Sequence, residues 1–457
     1  MNRSNHPDKE GSGHIESIFS ELVAVQEALV SGDRSVLESA TVQLDECESA
    51  LMGLREDPPL RWSEAATAMA TARGHVERAL GNLEGADDSY RSALEFLEEA
   101  GLSEEDYRFR RSNLHTYRGL TKLSGTSKED WEEAISQFDQ SIRLREQVDE
   151  PGKEQKWGLS AAWINRGDAL ARMDDESRAE EALFSFEVAA RYLAEFDLNE
   201  SPSFRTRLAL CHLNAAETLV QLTTRFGKKY GERAMEEYSK AAEVLRPGCE
   251  GGSKESCRVL GVVLTNACRA RLACLPEDLT ASERDAREAM ALADEYEDDD
   301  LEMVVLDVTA HTTLAMVLYS RFDETEDCSA ITDVVEEGLD RAGKFLEANF
   351  KETTLDPIIG ELFRYGALTY GRAQPHFLSD YLLDYLDPER EGISFDRSPA
   401  CHEVAVQVLW QVLADIERQG FTGMGTPEFD RRMELRIDLN RCRERLAEIR
   451  SVRFTNE

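Results

Sequence analysis

The chain has 457 residues, of which 90 are acidic and 53 are basic, so its formal net charge is −37. This charge argues against general binding to nucleic acids or to anionic membrane surfaces, because both need a basic face on the protein. It would instead speed association with a basic partner. Apolar residues make up 41% of the chain, which is enough to build a hydrophobic core.

The chain begins MNRSNHPDKEGSG, with no apolar segment of the kind found in signal peptides, and residues 1–13 are predicted to form a disordered tail. No later stretch approaches 18 uninterrupted apolar residues. Long stretches rich in Ala, Leu, Glu and Arg run without a breaker, and alternating β-branched residues are almost absent, which predicts an all-α protein. Nine scattered cysteines suit a reducing cytoplasm; Cys249 and Cys257 could form a labile disulfide but are more simply two free thiols.

Next along the chain, a trio of residues recurs at nearly constant intervals. In each trio a small residue is followed four positions later by a large one, and three positions after that by another small one. The seven trios start at Ala40, Ala86, Ala134, Ala182, Ala234, Ala286 and Val335. The steps between them are 46, 48, 48, 52, 52 and 49 residues. Such regularity indicates a repeat protein.

A glycine precedes the trio in three of these repeats, at Gly74, Gly119 and Gly167, and each follows an arginine. Glycine inside a helix costs about 1 kcal/mol relative to alanine, so a compensating reason is expected. We interpret Gly167 as a packing glycine that removes a side chain where the second helix of the repeat crosses the first. The equivalent positions in later repeats are Ala216, Cys268 and Ala315.

The residues Trp163, Gly167 and Leu170, followed by Ala182 and Phe186, resemble the tetratricopeptide repeat, a pair of antiparallel helices. The resemblance covers roughly residues 15–350 and implies a right-handed α-solenoid of about seven to eight stacked helix pairs with terminal capping helices. The repeats here are longer than the 34 residues usual in that family.

The repeats predict four regions. After the tail come an N-terminal capping hairpin over 14–57, the repeat array over 58–350, and a C-terminal hairpin over 351–457 with an insert at 376–400 and an Arg-rich capping helix. Prolines support this register: Pro276 lies in the turn inside a unit, and six others are expected between units. Those between units are Pro58, Pro59, Pro151, Pro202, Pro247 and Pro357.

First helices line the concave binding face of such arrays, and positions −2, +1 and +5 from the packing glycine are expected to face it. Position −2 holds Tyr117 and then asparagine in three consecutive repeats, at Asn165, Asn214 and Asn266. An amide offers donors and an acceptor that suit an extended peptide backbone, and the family resemblance implies the same role. The alternative is that each amide caps or bridges helices within the array.

Other positions expected to face the groove carry charges of both signs, which would give specificity for the side chains of a bound segment. They differ from the uniformly basic groove with which this family binds a C-terminal carboxylate. The charged residues are Asp168, Glu217 and Arg269 at +1 and Arg172 at +5. Three histidines, His115, His212 and His311, lie four residues before the glycine position, where Trp163 stands in its own repeat. Successive members are two repeats apart, so no metal ion could join them, and we expect packing roles.

The motifs of common enzyme classes are absent, and no cofactor or metal is expected. The sequence therefore predicts a cytoplasmic, non-catalytic interaction scaffold that binds a peptide or protein, with no nucleic acid or membrane as partner. Two alternatives stay open. The protein could be a peptide-sensing regulator, with the insert 376–400 as an internal groove ligand, or an acidic chaperone for basic proteins.

Overall fold

The computed structural model describes residues 7–56, 58–148, 151–173, 175–296, 300–322, 328–349, 353–390, 392–418 and 426–454. Every long regular element in these ranges is an α-helix, and one short 3-10 turn, Lys228–Tyr230, accompanies them. The chain divides into two compact units, Met1–Leu222 and Thr223–Glu457, called unit 1 and unit 2. This division adds a boundary inside the region that the sequence predicts as one array.

Unit 1 is a stack of antiparallel helix pairs. Its helices are α1 (Pro7–Ser31), α2 (Arg34–Gly53), α3 (Trp62–Ala79), α4 (Leu83–Glu98), α5 (Glu104–Leu123), α6 (Lys128–Glu146), α7 (Lys153–Ala171), α8 (Glu176–Leu193) and α9 (Pro202–Phe226), whose last turn crosses the unit boundary. Successive helices pack as the hairpins α1–α2, α3–α4, α5–α6 and α7–α8. First helices also contact one another: α1 contacts α3, and α5 contacts α7.

Unit 2 continues the same construction. Its helices are α10 (Gly231–Glu250), α11 (Lys254–Cys274), α12 (Leu279–Asp294), α13 (Leu301–Arg321), α14 (Ser329–Ala348), α15 (Asp356–Ala373), α16 (Pro375–Leu386), α17 (Pro399–Arg418) and α18 (Pro427–Phe454). The hairpins are α11–α12, α13–α14 and α15–α17, and α18 packs on α16 and α17 as the predicted cap. Arg445 of α18 pairs with Asp387 at 2.8 Å.

Local chemistry explains where several helices begin. Ser103 and Ser127 each accept a hydrogen bond from the backbone N–H of the third residue onward, at 3.1 Å. Each serine hydroxyl also donates to the carboxylate of that same residue, Asp106 or Asp130. Such N-caps satisfy backbone donors that the first turn leaves unpaired, so these helices start at defined residues.

The predicted trios lie on the second helix of each hairpin and form its buried face. Of the seven trios all residues are buried except the half-buried Met290. A similar trio on α17, formed by Ala405, Leu409 and Val412, is buried apart from Val412. The packing role of the glycines is confirmed. A Cβ added at Gly167 would lie 2.6 Å from Cε1 of Phe186, the ring of its own trio. The corresponding distances are 2.5 Å from Gly74 to Tyr90 and 2.6 Å from Gly119 to Phe138.

Three expectations need correction or adjustment. Pro247 lies inside α10 and does not end it, since a proline in the last turn removes one backbone donor while the helix continues to Glu250. Helix α1 begins at Pro7, inside the predicted tail, and residues 1–6 lie outside the described part. The insert 376–400, considered above as an internal groove ligand, supplies most of α16. Leu378, Leu382 and Leu386 of this helix are buried in the core of unit 2 against α15 and α18.

Helix α13 has the length and mean hydropathy, 1.5, that a membrane crossing would need. However, 67% of its apolar window is buried inside the protein, where it packs against α11, α12, α14 and α15. Its hydropathy is therefore accounted for by its position as a core helix of unit 2. Among the described residues it is the one helix that meets these criteria.

Candidate functional site

The first helices of the hairpins carry the positions predicted to bind a ligand, and one contact in each unit joins these positions on neighbouring first helices. In unit 1 the ring of His75, at position +1 of α3, lies 4.5 Å from that of Tyr117, at position −2 of α5. In unit 2 Nε of Arg269, at +1 of α11, donates to Oγ1 of Thr313, at −2 of α13, at 3.3 Å. The +1 residue of one first helix thus touches the −2 residue of the next. We call this surface the inner face.

A groove of about 580 Å³ opens on the inner face of unit 1, between α1, α3 and α5. Its wall from α1 is mainly apolar, whereas the walls from α3 and α5 add hydrogen-bonding groups. The lining comprises Phe19, Leu22, Val23, Gln26, Leu29, Thr67, Ala68, Thr71, Ala72, His75, Arg110, Asn113, Leu114 and Tyr117. An apolar cleft with a few convergent polar groups is the usual form of a ligand site.

Two polar groups of this groove, His75 and Tyr117, are neutral near pH 7. Burial, together with the charge of Arg78, lowers the pKa of His75 to about 4. Nδ1 of His75 is 2.8 Å from the hydroxyl of Tyr90, which fixes the ring against the second helix of its hairpin. Burial raises the pKa of Tyr117, so its phenol stays protonated and can donate a hydrogen bond.

The asparagines at position −2 divide between the two units. Asn165 on α7 and Asn214 on α9 belong to unit 1, and both are half-buried. Neither side-chain amide has a hydrogen-bond partner within the described part of the chain. Asn266 on α11 belongs to unit 2 and already has an interaction partner in the protein. The two amides of unit 1 are therefore the ones available to a ligand.

The charged candidates are largely engaged with neighbours. Asp168 and Arg172 pair with each other at 3.3 Å, and Arg172 also donates to the carbonyl of Leu123 at 3.2 Å. Arg269 pairs with Glu361 of α15 at 3.1 Å. Glu217 has an interaction partner as well. These side chains offset one another's charge, so they offer a ligand less than their sequence positions suggest.

The histidines at position −4 are packing residues where the structure shows their contacts. His115 is buried, and its Nδ1 lies 2.8 Å from Oε1 of Gln137 on the second helix of its hairpin. His311 is buried beside Asp307, with 3.4 Å between Nδ1 and Oδ1. His212 is half-buried and has a partner. Within the described ranges, no group of three His, Cys, Asp or Glu side chains is arranged to hold a metal ion.

Sequence reasoning missed two polar groove residues of α5, Arg110 and Asn113. They stand at positions −9 and −6 from the packing glycine Gly119, and so extend the same helical stripe as Tyr117 at steps of three and four residues. Extending the predicted stripe by two turns toward the N-terminus of the helix would have found them.

The chain matches no family model, and no curated protein sequence is significantly similar to it. Among solved structures, it is similar to the apo form of RapI, with a TM-score of 0.50 and 12% sequence identity over 93% of this chain and 98% of that one. The apo form of the quorum sensor NprR from B. thuringiensis matches with a TM-score of 0.44 and 14% identity, over 93% of this chain and 99% of that one. A Rap protein complexed with competence and sporulation factor has a TM-score of 0.37 and 12% identity, over 97% and 100%. The likeness to RapI concerns the fold alone: the chain has the fold of a tetratricopeptide-type helical repeat solenoid.

Proposed function

We propose that the protein is a non-catalytic interaction scaffold that binds an extended peptide segment of a partner on the inner face of unit 1. The observation that carries the proposal is the presence, on one stripe of first helices, of a groove of about 580 Å³ and two asparagine amides without hydrogen-bond partners in the described residues. A half-buried amide inside a helix is unfavourable unless something uses it, because it competes with the backbone for hydrogen bonds.

The geometry suits a peptide backbone. Packed helices stand about 8–10 Å apart, and an extended chain advances about 3.3 Å per residue. Asn165 and Asn214, on successive first helices, would therefore meet backbone groups about three residues apart. Each amide can donate to a peptide C=O and accept from a peptide N–H, whatever the peptide's side chains are. The apolar groove between α1, α3 and α5 then supplies a place for an apolar side chain.

We place the protein in a reducing compartment, in keeping with its thiols. All nine cysteines are free, and all except the half-buried Cys249 are buried. Cys249 lies at the end of α10 and Cys257 in the second turn of α11, and both are thiols in this structure.

The test starts from a peptide selected from a random displayed library on the wild-type protein. Its affinity is then measured by calorimetry for the wild type, for Asn165→Ala/Asn214→Ala, and for the control Asn440→Ala, which removes an amide that bonds its own helix in unit 2. Two neutral hydrogen bonds contribute about 1–3 kcal/mol together, so the double variant should bind roughly 5- to 150-fold more weakly. Circular dichroism checks that each variant is folded.

Salt separates this function from binding through surface charge. Raising salt from about 0.1 M to about 1 M shortens the screening length from about 10 Å to about 3 Å. Binding through the amides should largely survive this change, whereas a basic partner held by the acidic surface should be lost. Equal affinity of the wild type and the double asparagine variant would contradict the proposal.

A further inference from the structure

On three consecutive first helices of unit 1, a guanidinium group lies at position −9 from the packing position. Two of these groups come from the helix itself and one from the preceding second helix. Arg110 occupies this position on α5, and Arg207 occupies it on α9. On α7 the same position is Gly158, and the guanidinium of Arg145 from α6 fills its place: a Cβ added at Gly158 would collide with Nη1 of Arg145. We call Arg110, Arg145 and Arg207 the guanidinium row.

Among the described residues, the hydrogen-bond partners of Arg145 are neutral groups. Its side chain is buried, with 4% exposed, and it donates to Oδ1 of Asn113, a residue that lines the groove. Its Nε lies 3.5 Å from Oγ of Ser141, and the guanidinium carbon lies 5.7 Å from the ring centre of Phe109. Burial lowers the pKa of Arg145, while electrostatic interactions with Tyr117 and Glu154 oppose that effect. A buried cation with neutral partners is costly unless an anion joins it.

Arg207 and Arg110 also have no carboxylate within ion-pair distance among the described residues. The guanidinium carbon of Arg207 lies 3.2 Å from the ring centre of Trp157, and its Nη1 donates to the carbonyl of Trp157 at 3.3 Å. Burial lowers the pKa of Arg207 to about 10. Arg110 is half-buried on the groove wall. An aromatic ring under the guanidinium face leaves the N–H edge free for a further acceptor.

The row differs from several arginines elsewhere in the same unit. Arg118 pairs with Asp87 at 2.8 Å, Arg166 with Asp139 at 2.7 Å, and Arg73 with Asp45 at 2.8 Å. Carboxylates are abundant in a chain with 90 acidic and 53 basic residues. The arginines of the row thus lack a carboxylate partner among the described residues although carboxylates are abundant. The same holds for other described arginines of unit 1, namely Arg55, Arg78, Arg111, Arg143 and Arg191. The row is set apart from these by its shared register on the first helices.

From this register we infer that the peptide bound by the inner face is acidic, with carboxylates that pair with Arg110 and Arg207 of the guanidinium row. This inference rests on the proposed function, since it names the chemistry of the same ligand. Positions −9 and −2 are seven residues apart, or about 10 Å along a helix. The peptide backbone lies at the asparagine level, and its glutamate or aspartate side chains meet the arginine side chains that extend from the row. Arginine suits this role because its fork binds a carboxylate through two hydrogen bonds.

The net charge of −37 gives this ligand an unusual salt dependence. An acidic peptide is repelled at long range, so its association rate constant should rise as salt increases to about 0.1 M and screens that repulsion. A basic partner would show the opposite trend.

The experiment uses the full-length protein and labelled peptides of one length, followed by fluorescence anisotropy. The probes alternate alanine with glutamate, glutamine or lysine. The variants are Arg110→Gln, Arg207→Gln and, as the matched control, Arg91→Gln, which removes an arginine paired with Asp87 and Asp88 of its own helix α4. Because Arg110 makes no hydrogen bond or ion pair with the described residues, replacing it should not disturb the fold, and circular dichroism checks this for each variant.

We expect the glutamate peptide to bind and the glutamine and lysine peptides to bind at least tenfold more weakly. Loss of one charge-assisted contact should weaken the glutamate peptide roughly tenfold or more in Arg110→Gln and in Arg207→Gln, and less than twofold in Arg91→Gln. Equal binding of the glutamate and glutamine peptides, or equal loss in the control, would overturn the inference. Equal competition by inorganic phosphate at the same charge would also overturn it, since it would indicate a general anion site.

Failure of this inference and failure of the proposed function give different results. A library-selected peptide that needs Asn165 and Asn214 but binds Arg110→Gln and Arg207→Gln normally would leave the function standing and refute the acidic ligand. A glutamate peptide that needs the two arginines but binds Asn165→Ala/Asn214→Ala normally would refute the amide mechanism and support the row.

Discussion

Replacing Gly167 by alanine tests the packing account of the repeat directly. An added Cβ would lie 2.6, 2.8 and 2.9 Å from Cε1, Cζ and Cδ1 of Phe186, whose side chain is 2% exposed. The ring is enclosed between the two helices of its hairpin, so it cannot move aside at little cost. Overpacking of a core costs about 1–3 kcal/mol, and the better helix propensity of alanine offsets about 1 kcal/mol of that. We therefore expect Gly167→Ala to lower the free energy of unfolding by up to about 2 kcal/mol.

The assay is urea unfolding followed by far-UV circular dichroism, with the shift of the midpoint multiplied by the slope. Gly13→Ala is the control, because a Cβ at this position of α1 would meet no atom within 4 Å, and it should be neutral or stabilising. A double-mutant cycle with Phe186→Leu isolates the ring contact. In the Phe186→Leu background, Gly167→Ala should become neutral or stabilising. The same destabilisation in both backgrounds would refute the argument, because the cost would then have another source.

Two further predictions concern pH. Asp87 is buried, which raises the pKa of its carboxyl, but hydrogen bonding to Arg118 and the charges of Arg118 and Lys122 outweigh burial and lower that pKa overall. Its charge therefore stabilises the fold above the ordinary aspartate pKa of about 4, and this contribution is lost as pH falls through the depressed value. Asp87→Asn should lower the free energy of unfolding by about 3 kcal/mol at pH 7 and by much less in acid; an equal loss at both pH values would contradict the ion-pair account. For His75, with its pKa lowered to about 4 by burial and by Arg78, the unfolded chain binds more protons between pH 6.5 and 4, so stability should decrease as pH falls through that window. An NMR titration of its ring with a midpoint near 6.5 would contradict this.

The recurring trio and glycine were sufficient to predict the helix pairs, because both patterns follow from local periodicity. A helix that buries one face must repeat small and large residues every three or four positions, and this repetition is visible without coordinates. A glycine inside a helix is unfavourable, so the presence of Gly167 in α7 already indicated a close contact with the second helix of the hairpin. Pro247 shows where such reasoning fails: a proline marks a helix end only on average, and the packed last turn of α10 tolerates the missing donor.

The stripe of candidate groove residues could be predicted only in part, because local periodicity gives the position of a side chain but not its partners. Tyr117, Asn165 and Asn214 were found because each lies on a first helix at a fixed distance from its packing residue. The sequence did not show that the amides of Asn165 and Asn214 lack a hydrogen-bond partner among the described residues, since a hydrogen bond depends on side chains that other helices bring near. Asn266 illustrates this: it has the same register as Asn214 but already has a partner.

The sequence by itself determined the helix pairs, their repeat and the faces that they bury, because these depend on residues within about two turns of one another. Only the tertiary structure decided which charges remain available on the inner face. At position −9 of α7 the sequence shows Gly158, which has no side chain, yet that space holds the guanidinium of Arg145 from the preceding helix. Because Arg145 lies on a different helix from Gly158, the periodicity of either helix alone could not reveal this charge.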